Sequence, residues 1–465
     1  MNILLIVCDT LRADHLGCYG YFRDTSPNID KVAEDGIIFE DFFNSGAPTG
    51  PAFTCIYTGL HSIHHKYYQF GGSGQPNIRQ VDDTIFTMPE ILRAWGYVTC
   101  AVDNLMNFPC HSKHWVRGYE FYINPSKAFE FPPLILAEHV NRRLIPWIRN
   151  HSDEEFFLFV HYWDPHLPYN QPKEYREIFR HEKGNLSDLE IREAPAGYQY
   201  VPGWGKVGEF VDGEIERRGR KISIDLYDGE VAYVDHEIGK VISTLEENGI
   251  LEDTLIIITS DHGEKFGGSM GQYGHAWLYD SIVHVPLIMR YPKKLPRGVR
   301  VRGFCQHIDL LPTILDLIGA PMDVLQIDGR SMMPLLKGKQ IRNSIFMEQT
   351  WGQRAIRTSE WKLIADEWVR RAHREPELYN IKEDPMETIN LAKINNGKMR
   401  GLMEVLCEWV NSNIREGEDD PIIYDYIRGI RKYDEGRRRI AIEYRERISY
   451  LLDSFKRAKS LFLNF

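Results

Sequence analysis

The stretch NILLIVCD, residues 2–9, is an unbroken apolar run that ends on an acidic residue. Similar runs recur at residues 96–102, 156–162 and 255–260, and helical patterns separate them. Strands that are apolar along their whole length are buried on both faces, which is typical of a largely parallel sheet covered by helices. Apolar residues at three- and four-residue steps predict one such helix at about residues 225–248. These patterns predict an α/β fold.

Composition restricts the class of protein. The 465 residues are 43% hydrophobic and 26% charged, with a net charge of −10, which describes a globular chain and argues against nucleic acid as a partner. No apolar run approaches the length of roughly 18 residues that a membrane span needs. The seven cysteines are scattered singly, and no secretory leader pattern is visible. We therefore expect free thiols, no membrane span and a cytoplasmic location.

The chain is long enough for more than one domain. We expect a catalytic α/β domain at residues 1–335, a small α+β subdomain with an antiparallel sheet at 336–395, and a helical extension at 396–465. Residues 170–222 show no regular helical or strand-like spacing of apolar residues, and they are expected to form an irregular cap over the active site. The extension carries an apolar stripe, so it is expected to dock on its own domain or to join two copies into a homo-oligomer. Binding to a membrane surface is the alternative.

Polar residues follow the predicted strands at the point where each strand ends. They are Asp9, Asn104, His161, Asp164, His166, Asp261 and His262. Any one of them alone would more often be a helix cap or a turn residue. Ligands bind beyond the carboxyl ends of the strands in open parallel sheets, so these side chains are expected to meet. Asp and His with oxygen donors suit a divalent ion of intermediate hardness, and the pattern therefore predicts a metal site.

A larger set of motifs runs along the chain. They are, in order, LLIVCDTLRADHLGCYG, SPNIDKVAEDGIIFEDFF, FVHYWDPHLPY, GILEDTLIIITSDHGE, LYDSIVHVPLIMRYP, HIDLLPTILDLIGAP and ELYNIKEDPMETINLA. In sequence and in order, these motifs resemble the sulfatase family of the alkaline phosphatase superfamily. The resemblance extends from residue 2 to about residue 393. It implies an alkaline phosphatase-like fold, in which helices flank a large mixed, mostly parallel sheet and a smaller C-terminal domain carries an antiparallel sheet. The helical tail lies outside the resemblance.

The resemblance also implies roles for individual residues. Asp9, Asp261 and His262 fall on family metal ligands. His166 falls on a histidine that contacts the anionic group of the substrate. His275 lies where the family carries a basic residue beside the leaving group. The resemblance therefore implies one metal ion with a substrate anion held against it.

Two positions depart from the family pattern. Asn104 lies near the position of a substrate-binding lysine, and Thr10 replaces an acidic metal ligand. We expect Asn104 and His161 to bind the substrate anion together with His166. Because the site has less negative charge than the family pattern, Mn²⁺, Zn²⁺, Mg²⁺ and Ca²⁺ all remain candidates for the ion.

The stretch SGAPTGPAFTCIYTG, residues 45–59, carries a third departure. Sulfatases have a Cys or Ser, within C/S-x-P-S-R, nine residues before a Thr-Gly pair, and that residue is oxidised to formylglycine. Here the residue nine positions before Thr58 is Thr49, and Phe53 replaces the arginine of the motif. Threonine cannot form the aldehyde because its Cβ carries a methyl group, so no formylglycine is expected. Cys55 has the wrong spacing and is expected to pack within a helix.

Thr49 is nonetheless expected to be the nucleophile and a fourth metal ligand. Pro51 suits the first turn of a helix, so Thr49 would stand at a helix N-terminus, where the dipole favours an anionic oxygen. The alternative is that Thr49 only caps this helix. A threonyl ester must be hydrolysed at its central atom, which phosphoryl groups permit under metal catalysis. We therefore expect a metal-dependent hydrolase of a phosphoester, phosphodiester or phosphonate ester.

Three alternatives stay open. The first is a sulfatase that acts without formylglycine. The second is a two-metal phosphodiesterase in which Asp164, His166 and His275 are further ligands. The third is a non-catalytic module that binds anions. The expected partner of the enzyme is a small anionic ester.

Overall fold

Two β-sheets organise the part of the chain that the computed structural model describes. That part is residues 1–68, 81–107, 113–126, 135–179, 200–201, 205–206, 220–266, 273–275, 277–349, 352–366, 375–414, 418 and 420–421. The strands are, in chain order, Asn2–Cys8 (β1), Ile37–Phe39 (β2), Phe42–Phe43 (β3), Gly46–Ala47 (β4), Val98–Val102 (β5), Phe121–Ile123 (β6), Phe156–Tyr162 (β7), Tyr200–Val201 (β8), Gly205–Lys206 (β9), Thr254–Ser260 (β10), Lys265–Phe266 (β11), Tyr273–Gly274 (β12), Leu287–Arg290 (β13), Val299–Val301 (β14), Cys305–Gln306 (β15), Ser344–Gln349 (β16), Gln353–Thr358 (β17), Trp361–Asp366 (β18) and Glu377–Asn380 (β19). The α-helices are Pro27–Glu34 (α1), Thr49–Thr58 (α2), Ser62–His65 (α3), Met88–Trp95 (α4), Ala137–Asn150 (α5), Lys173–Glu177 (α6), Arg220–Glu247 (α7), Asp280–Val283 (α8), Leu310–Ile318 (α9) and Asn396–Asn413 (α10).

The large sheet has eight strands in the order β14-β2-β13-β10-β1-β7-β5-β6. Strand β13 runs antiparallel to both of its neighbours, and the other neighbouring pairs are parallel. The central strands β1, β7 and β10 are buried along their whole length. Because both faces of these strands are covered, the apolar runs of the sequence do not alternate with polar residues. The structure confirms the predicted mixed, mostly parallel sheet.

The smaller sheet has five strands in the order β19-β18-β17-β16-β4. Its C-terminal strands are antiparallel to one another, as the sequence predicts. Its edge strand β4 comes from the N-terminal part of the chain and pairs parallel with β16. Strand β4 ends at Ala47, two residues before Thr49. The C-terminal sheet therefore holds the segment that leads into the proposed nucleophile.

Most of the predicted elements lie where the patterns place them. The helix predicted at residues 225–248 is α7, which the structure extends back to Arg220, and most of its apolar stripe is buried. The strand predicted from residue 96 begins at Val98 instead. The reason is Gly96, which adopts a left-handed conformation with φ +102° and ends α4, so the chain enters the sheet two residues later.

Two expectations fall largely on residues that the structure does not describe. Of the cap expected at residues 170–222, the described parts include α6 and the strand pair β8–β9, and residues 180–199 and 207–219 lie outside the described chain. Of the expected helical extension, α10 is described, while residues 422–465 lie outside the described chain. Within the described residues, no helix combines the length and the apolar character that crossing a bilayer would require.

Candidate active site

The ends of two neighbouring parallel strands bring the predicted metal ligands together. Asp9 follows β1, and Asp261 and His262 follow β10. Cys8 and Ser260 are partners at the end of this strand pair, so Asp9 and Asp261 emerge side by side. One ligand atom from each of Asp9, Asp261 and His262 lies within 4.8 Å of the others, and all three residues are buried. The structure therefore brings the three predicted ligands into one group.

The carboxylates of this group have few hydrogen-bond partners among the described residues. Both carboxylate oxygens of Asp9 and Oδ2 of Asp261 are buried, with no hydrogen-bond partner among the described residues. The other oxygen of Asp261 accepts from the backbone N–H of His262 at 2.8 Å and of Thr10 at 3.2 Å. Burial raises the pKa of Asp261 to about 6. Because buried carboxylates are unfavourable unless a cation or donors compensate them, this donor set fits a divalent metal ion.

Thr49 lies at the edge of the same group. It is the first residue of α2, and its Oγ1 lies 3.2 Å from Nε2 of His262. The capping position of α2 is occupied by Pro48, which makes no side-chain cap. The capping role considered for Thr49 is therefore wrong, because its hydroxyl is directed at a predicted metal ligand. Burial lowers the pKa of His262 to about 4, so this imidazole is neutral near neutral pH and can act as an acceptor or a ligand.

The remainder of α2 is packed into the protein. Phe53, which stands where the family has arginine, lies edge-on to His161 with ring centroids 4.8 Å apart. Cys55 is fully buried, which confirms its predicted packing role, and burial raises the pKa of its thiol well above the usual value. Neither side chain offers a charge to a substrate.

Histidines extend the site beyond the metal ligands. The ring of His275 stacks on His262 at 4.7 Å with an interplanar angle of 15°, and the His166 ring lies 5.0 Å from His275. Glu264 is a buried residue that the sequence analysis missed, and its Oε2 lies 3.6 Å from Nδ1 of His275. Burial opposes a charge on His275, but Glu264 raises its pKa above the usual value. The only sequence signal for Glu264 is its place two residues after His262 in SDHGE.

His161 and Asn104 were both predicted to bind substrate. His161 lies between two carboxylates, with Nδ1 3.0 Å from Asp103 and Nε2 3.5 Å from Asp9. Burial disfavours its charged form, but these two carboxylates raise the pKa of His161 to about 9. The Asn104 amide accepts from the Trp163 indole and donates to Ser126. His161 thus lies beside the predicted metal ligands. The Asn104 amide instead forms its hydrogen bonds with other residues of the protein.

The described residues give little support to a second metal ion. Asp9, Asp261 and His262 form the one group of this kind among them, and Asp164, His166 and His275 do not form another. Asp164 is instead buried against Glu230, and burial raises the pKa of Asp164 to about 6. The two-metal alternative is therefore disfavoured within the described part of the chain.

Family comparisons agree with this geometry. Residues 1–320 match the family model described as sulfatase. The chain belongs to the sulfatase family. Residues 268–414 also match the C-terminal region of N-sulphoglucosamine sulphohydrolase. Membership makes the protein an ester hydrolase of the sulfatase and alkaline phosphatase superfamily.

Two relatives of this sulfatase-family chain have names that state different activities. It is 23% identical to N-acetylglucosamine-6-O-sulfatase of Bacteroides thetaiotaomicron, over 94% of this chain and 90% of that protein. It is 25% identical to the multifunctional alkaline phosphatase superfamily protein PehA of Trinickia caryophylli, over 84% of this chain and 91% of that protein.

Solved structures show the same fold. The phosphonate monoester hydrolase of Agrobacterium radiobacter has a TM-score of 0.70 and 22% identity, and the match covers 89% of this chain and 96% of that one. A protein solved in complex with D-glucosamine-2-N,6-O-disulfate has a TM-score of 0.71 and 21% identity, and the match covers 90% of this chain and 99% of that one. These similarities confirm the predicted alkaline phosphatase-like architecture.

Proposed function

We propose that this protein is a metal-dependent hydrolase that uses Thr49 to cleave a phosphoester, phosphodiester or phosphonate ester. The observation that carries the proposal is the 3.2 Å contact between Thr49 Oγ1 and His262 Nε2, beside buried carboxylate oxygens that accept no hydrogen bond from the described residues. A hydroxyl in this position has no capping function to explain it. The contact suits a nucleophile that is oriented beside a metal ligand at one end of a helix.

The residues present fit one divalent ion. Asp9, Asp261, His262 and the Thr49 hydroxyl would hold it, since each is buried and the carboxylates need a cation. When bound, such an ion supplies Lewis-acid chemistry, which lowers the pKa of a nearby hydroxyl and stabilises negative charge on substrate oxygens. Formylglycine is not part of the proposal, because Thr49 cannot form the aldehyde.

The side chains of the protein carry out the bond changes. Thr49 Oγ1 gives up its proton to solvent and forms a bond to phosphorus while the bond from phosphorus to the leaving oxygen breaks. His275, whose pKa Glu264 raises, donates its proton to that leaving oxygen. Water then attacks phosphorus and gives a proton to His275, the bond to Thr49 breaks, and the threonine oxygen takes a proton from solvent. His166, beside His275, is proposed to contact the anionic group, and the substrate contacts of Asn104 and His161 stay predictions.

Sulfuric ester hydrolysis is the second candidate. The name of the relative from Bacteroides thetaiotaomicron favours it. The names of the phosphonate monoester hydrolase and of the multifunctional superfamily protein favour a phosphoryl or mixed activity. The local sequence favours phosphorus, because Thr49 and Phe53 replace the oxidisable residue and the arginine of the sulfatase motif.

A matched set of substrates separates the two candidates. With Mn²⁺ present, we expect an aryl phosphodiester or phosphonate ester to be hydrolysed faster than the sulfate ester with the same leaving group. Using one leaving group means that only the central atom differs between the assays. The Thr49→Ala variant gives the background for each substrate. Repeated sulfate turnover with no activity on any phosphoryl ester would contradict the proposed substrate class.

Thr10 offers a test of metal preference. Its Oγ1 is buried with no partner among the described residues, and its backbone has φ +58°, which a β-branched residue rarely adopts. Thr10→Asp adds a carboxylate at a backbone conformation that Asp tolerates well. We expect Ca²⁺ affinity to rise about tenfold relative to Mn²⁺, since ligand charge sets Ca²⁺ affinity. Calorimetric titration measures both affinities.

The matched control for this test is Thr10→Asn, which has the same shape without the charge. It is expected to leave the ratio of the two affinities near that of the wild type. An equal change in both variants would show that the backbone, and not the carboxylate, is responsible.

A further inference from the structure

Asp9 is held between two histidines. Its Oδ1 lies 3.9 Å from His262 Nε2, and its Oδ2 lies 3.5 Å from His161 Nε2. Both oxygens are buried, and neither has a hydrogen bond within the described chain. The orientation of Asp9 therefore depends on its neighbours, and His161 is the neighbour on the side away from His262.

The sheet places His161 and Asp103 in line with Asp9. Strands β5, β7 and β1 are adjacent, His161 is the register partner of Val7, and Val160 is the partner of Val102. Asp103 follows Val102 and therefore lies level with His161. Asp9 follows Val7 by two residues, so the twofold period of a strand directs both side chains to the same face.

Several neighbours hold the His161 ring in place. Its Nδ1 is 3.0 Å from Asp103 Oδ1. Asp103 in turn accepts from the Leu105 backbone N–H at 3.0 and 3.1 Å and from the Tyr122 hydroxyl at 2.7 Å. Phe53 and Trp163 each pack against the ring with centroids 4.8 Å away. The ring cannot rotate without breaking these contacts.

We propose that Asp103 and His161 are positioning residues of the metal centre. Asp103 accepts the proton on Nδ1 of His161, which directs Nε2 to Asp9 Oδ2 and keeps Oδ1 facing His262. The inference rests on the proposed function, in which Asp9 is a metal ligand. The positioning role requires no contact of Asp103 or His161 with the reacting atoms. Their effect is exerted through the orientation of Asp9, as is usual for partners that orient metal ligands.

The test is Mn²⁺ binding to Asp103→Asn. Leu105 and Tyr122 both donate to this side chain, so the new amide oxygen stays with them and the amide NH₂ faces His161 Nδ1. The ring then loses its acceptor. We expect Mn²⁺ affinity, measured by calorimetric titration, to fall about 10- to 100-fold. Activity at limiting Mn²⁺ should fall with it and recover in part when Mn²⁺ is raised.

Three further variants sharpen the result. Tyr122→Phe removes one donor but keeps the Asp103–His161 contact, so a smaller loss of Mn²⁺ affinity is expected. Asp309→Asn is the matched control, because Asp309 is a buried carboxylate that binds Arg342 and not His161. It should lower the melting temperature and leave Mn²⁺ affinity unchanged. If Asp103→Asn does not fold, His161→Gln carries the test, with the same expected loss.

The Mn²⁺ affinities of the wild type and the variants separate a failure of this inference from a failure of the proposed function. A folded Asp103→Asn protein with wild-type Mn²⁺ affinity overturns the positioning role, whatever its melting temperature. If Asp261→Asn loses Mn²⁺ while Asp103→Asn keeps it, only the positioning role is lost. If the wild type does not bind Mn²⁺, or Asp261→Asn binds it as well as the wild type does, the proposed centre and this inference both fail.

Discussion

Thr49→Ala is expected to lower kcat on the order of 10⁴-fold or more, because a covalent route depends on its nucleophilic oxygen. The fold should survive the change. Thr49 is 4% exposed at the first position of α2, where alanine is the better helix former and no cap is lost. Steady-state kinetics on the preferred phosphoryl ester measure the effect, and thermal unfolding of the metal-loaded protein checks the fold.

Thr49→Ser is the matched control, because it keeps the hydroxyl and removes only the methyl group. It should retain most of the activity that the alanine variant loses. Mass spectrometry of the peptide that contains residue 49 should show a phosphoryl adduct on the wild-type protein quenched during turnover. The alanine variant should show none.

A different pattern would follow from a structural threonine. A threonine needed only for structure would lower the folding free energy when replaced and leave the chemistry intact. If Thr49→Ala unfolds at a lower temperature but turns over substrate at the wild-type rate, Thr49 is not the nucleophile. Full activity in that variant would also remove the main argument for a phosphoryl substrate.

Much of the fold could be predicted from the sequence because central strands leave a strong signal. The run at residues 156–162 is a strand with those bounds, since every residue in it is buried. The ligands Asp9 and Asp261 follow two such strands. Their proximity follows from the parallel pairing of β1 and β10, which the pattern of continuous apolar runs also indicates.

Contacts between neighbouring strands and their side chains could not be predicted in the same way. The sequence pattern indicates Asn104 as the polar residue after β5, whereas it is Asp103 that contacts His161. The choice between two consecutive polar residues depends on which face of the sheet each one occupies, and a continuous apolar run does not reveal the faces. The pairing of β4 with β16 could not be predicted for a related reason. A strand of two residues is too short to show an alternation of apolar and polar residues.

Asp261→Asn is expected to abolish tight metal binding and activity together. The backbone N–H groups of Thr10 and His262 donate to Oδ1 of Asp261, so they should retain the amide oxygen of the variant. Its NH₂ group then takes the position of Oδ2, which accepts no hydrogen bond from the described residues and lies 3.3 Å from His262 Nε2. A donor replaces an anion at the place where the cation binds. Metal content after gel filtration and turnover with saturating Mn²⁺ measure the two losses.

The metal-free proteins give the sharper comparison. In the wild type, a buried carboxylate group without a cation opposes folding, so adding Mn²⁺ should raise the melting temperature and a chelator should reverse the rise. Asp261→Asn removes one of these buried charges. Its metal-free form should therefore melt at or above the temperature of the metal-free wild type, and Mn²⁺ should change it little. If Asp261 were needed only for structure, the variant would melt at a lower temperature than the wild type both with and without Mn²⁺. Full metal content with full turnover in the variant would show that Asp261 is not a ligand.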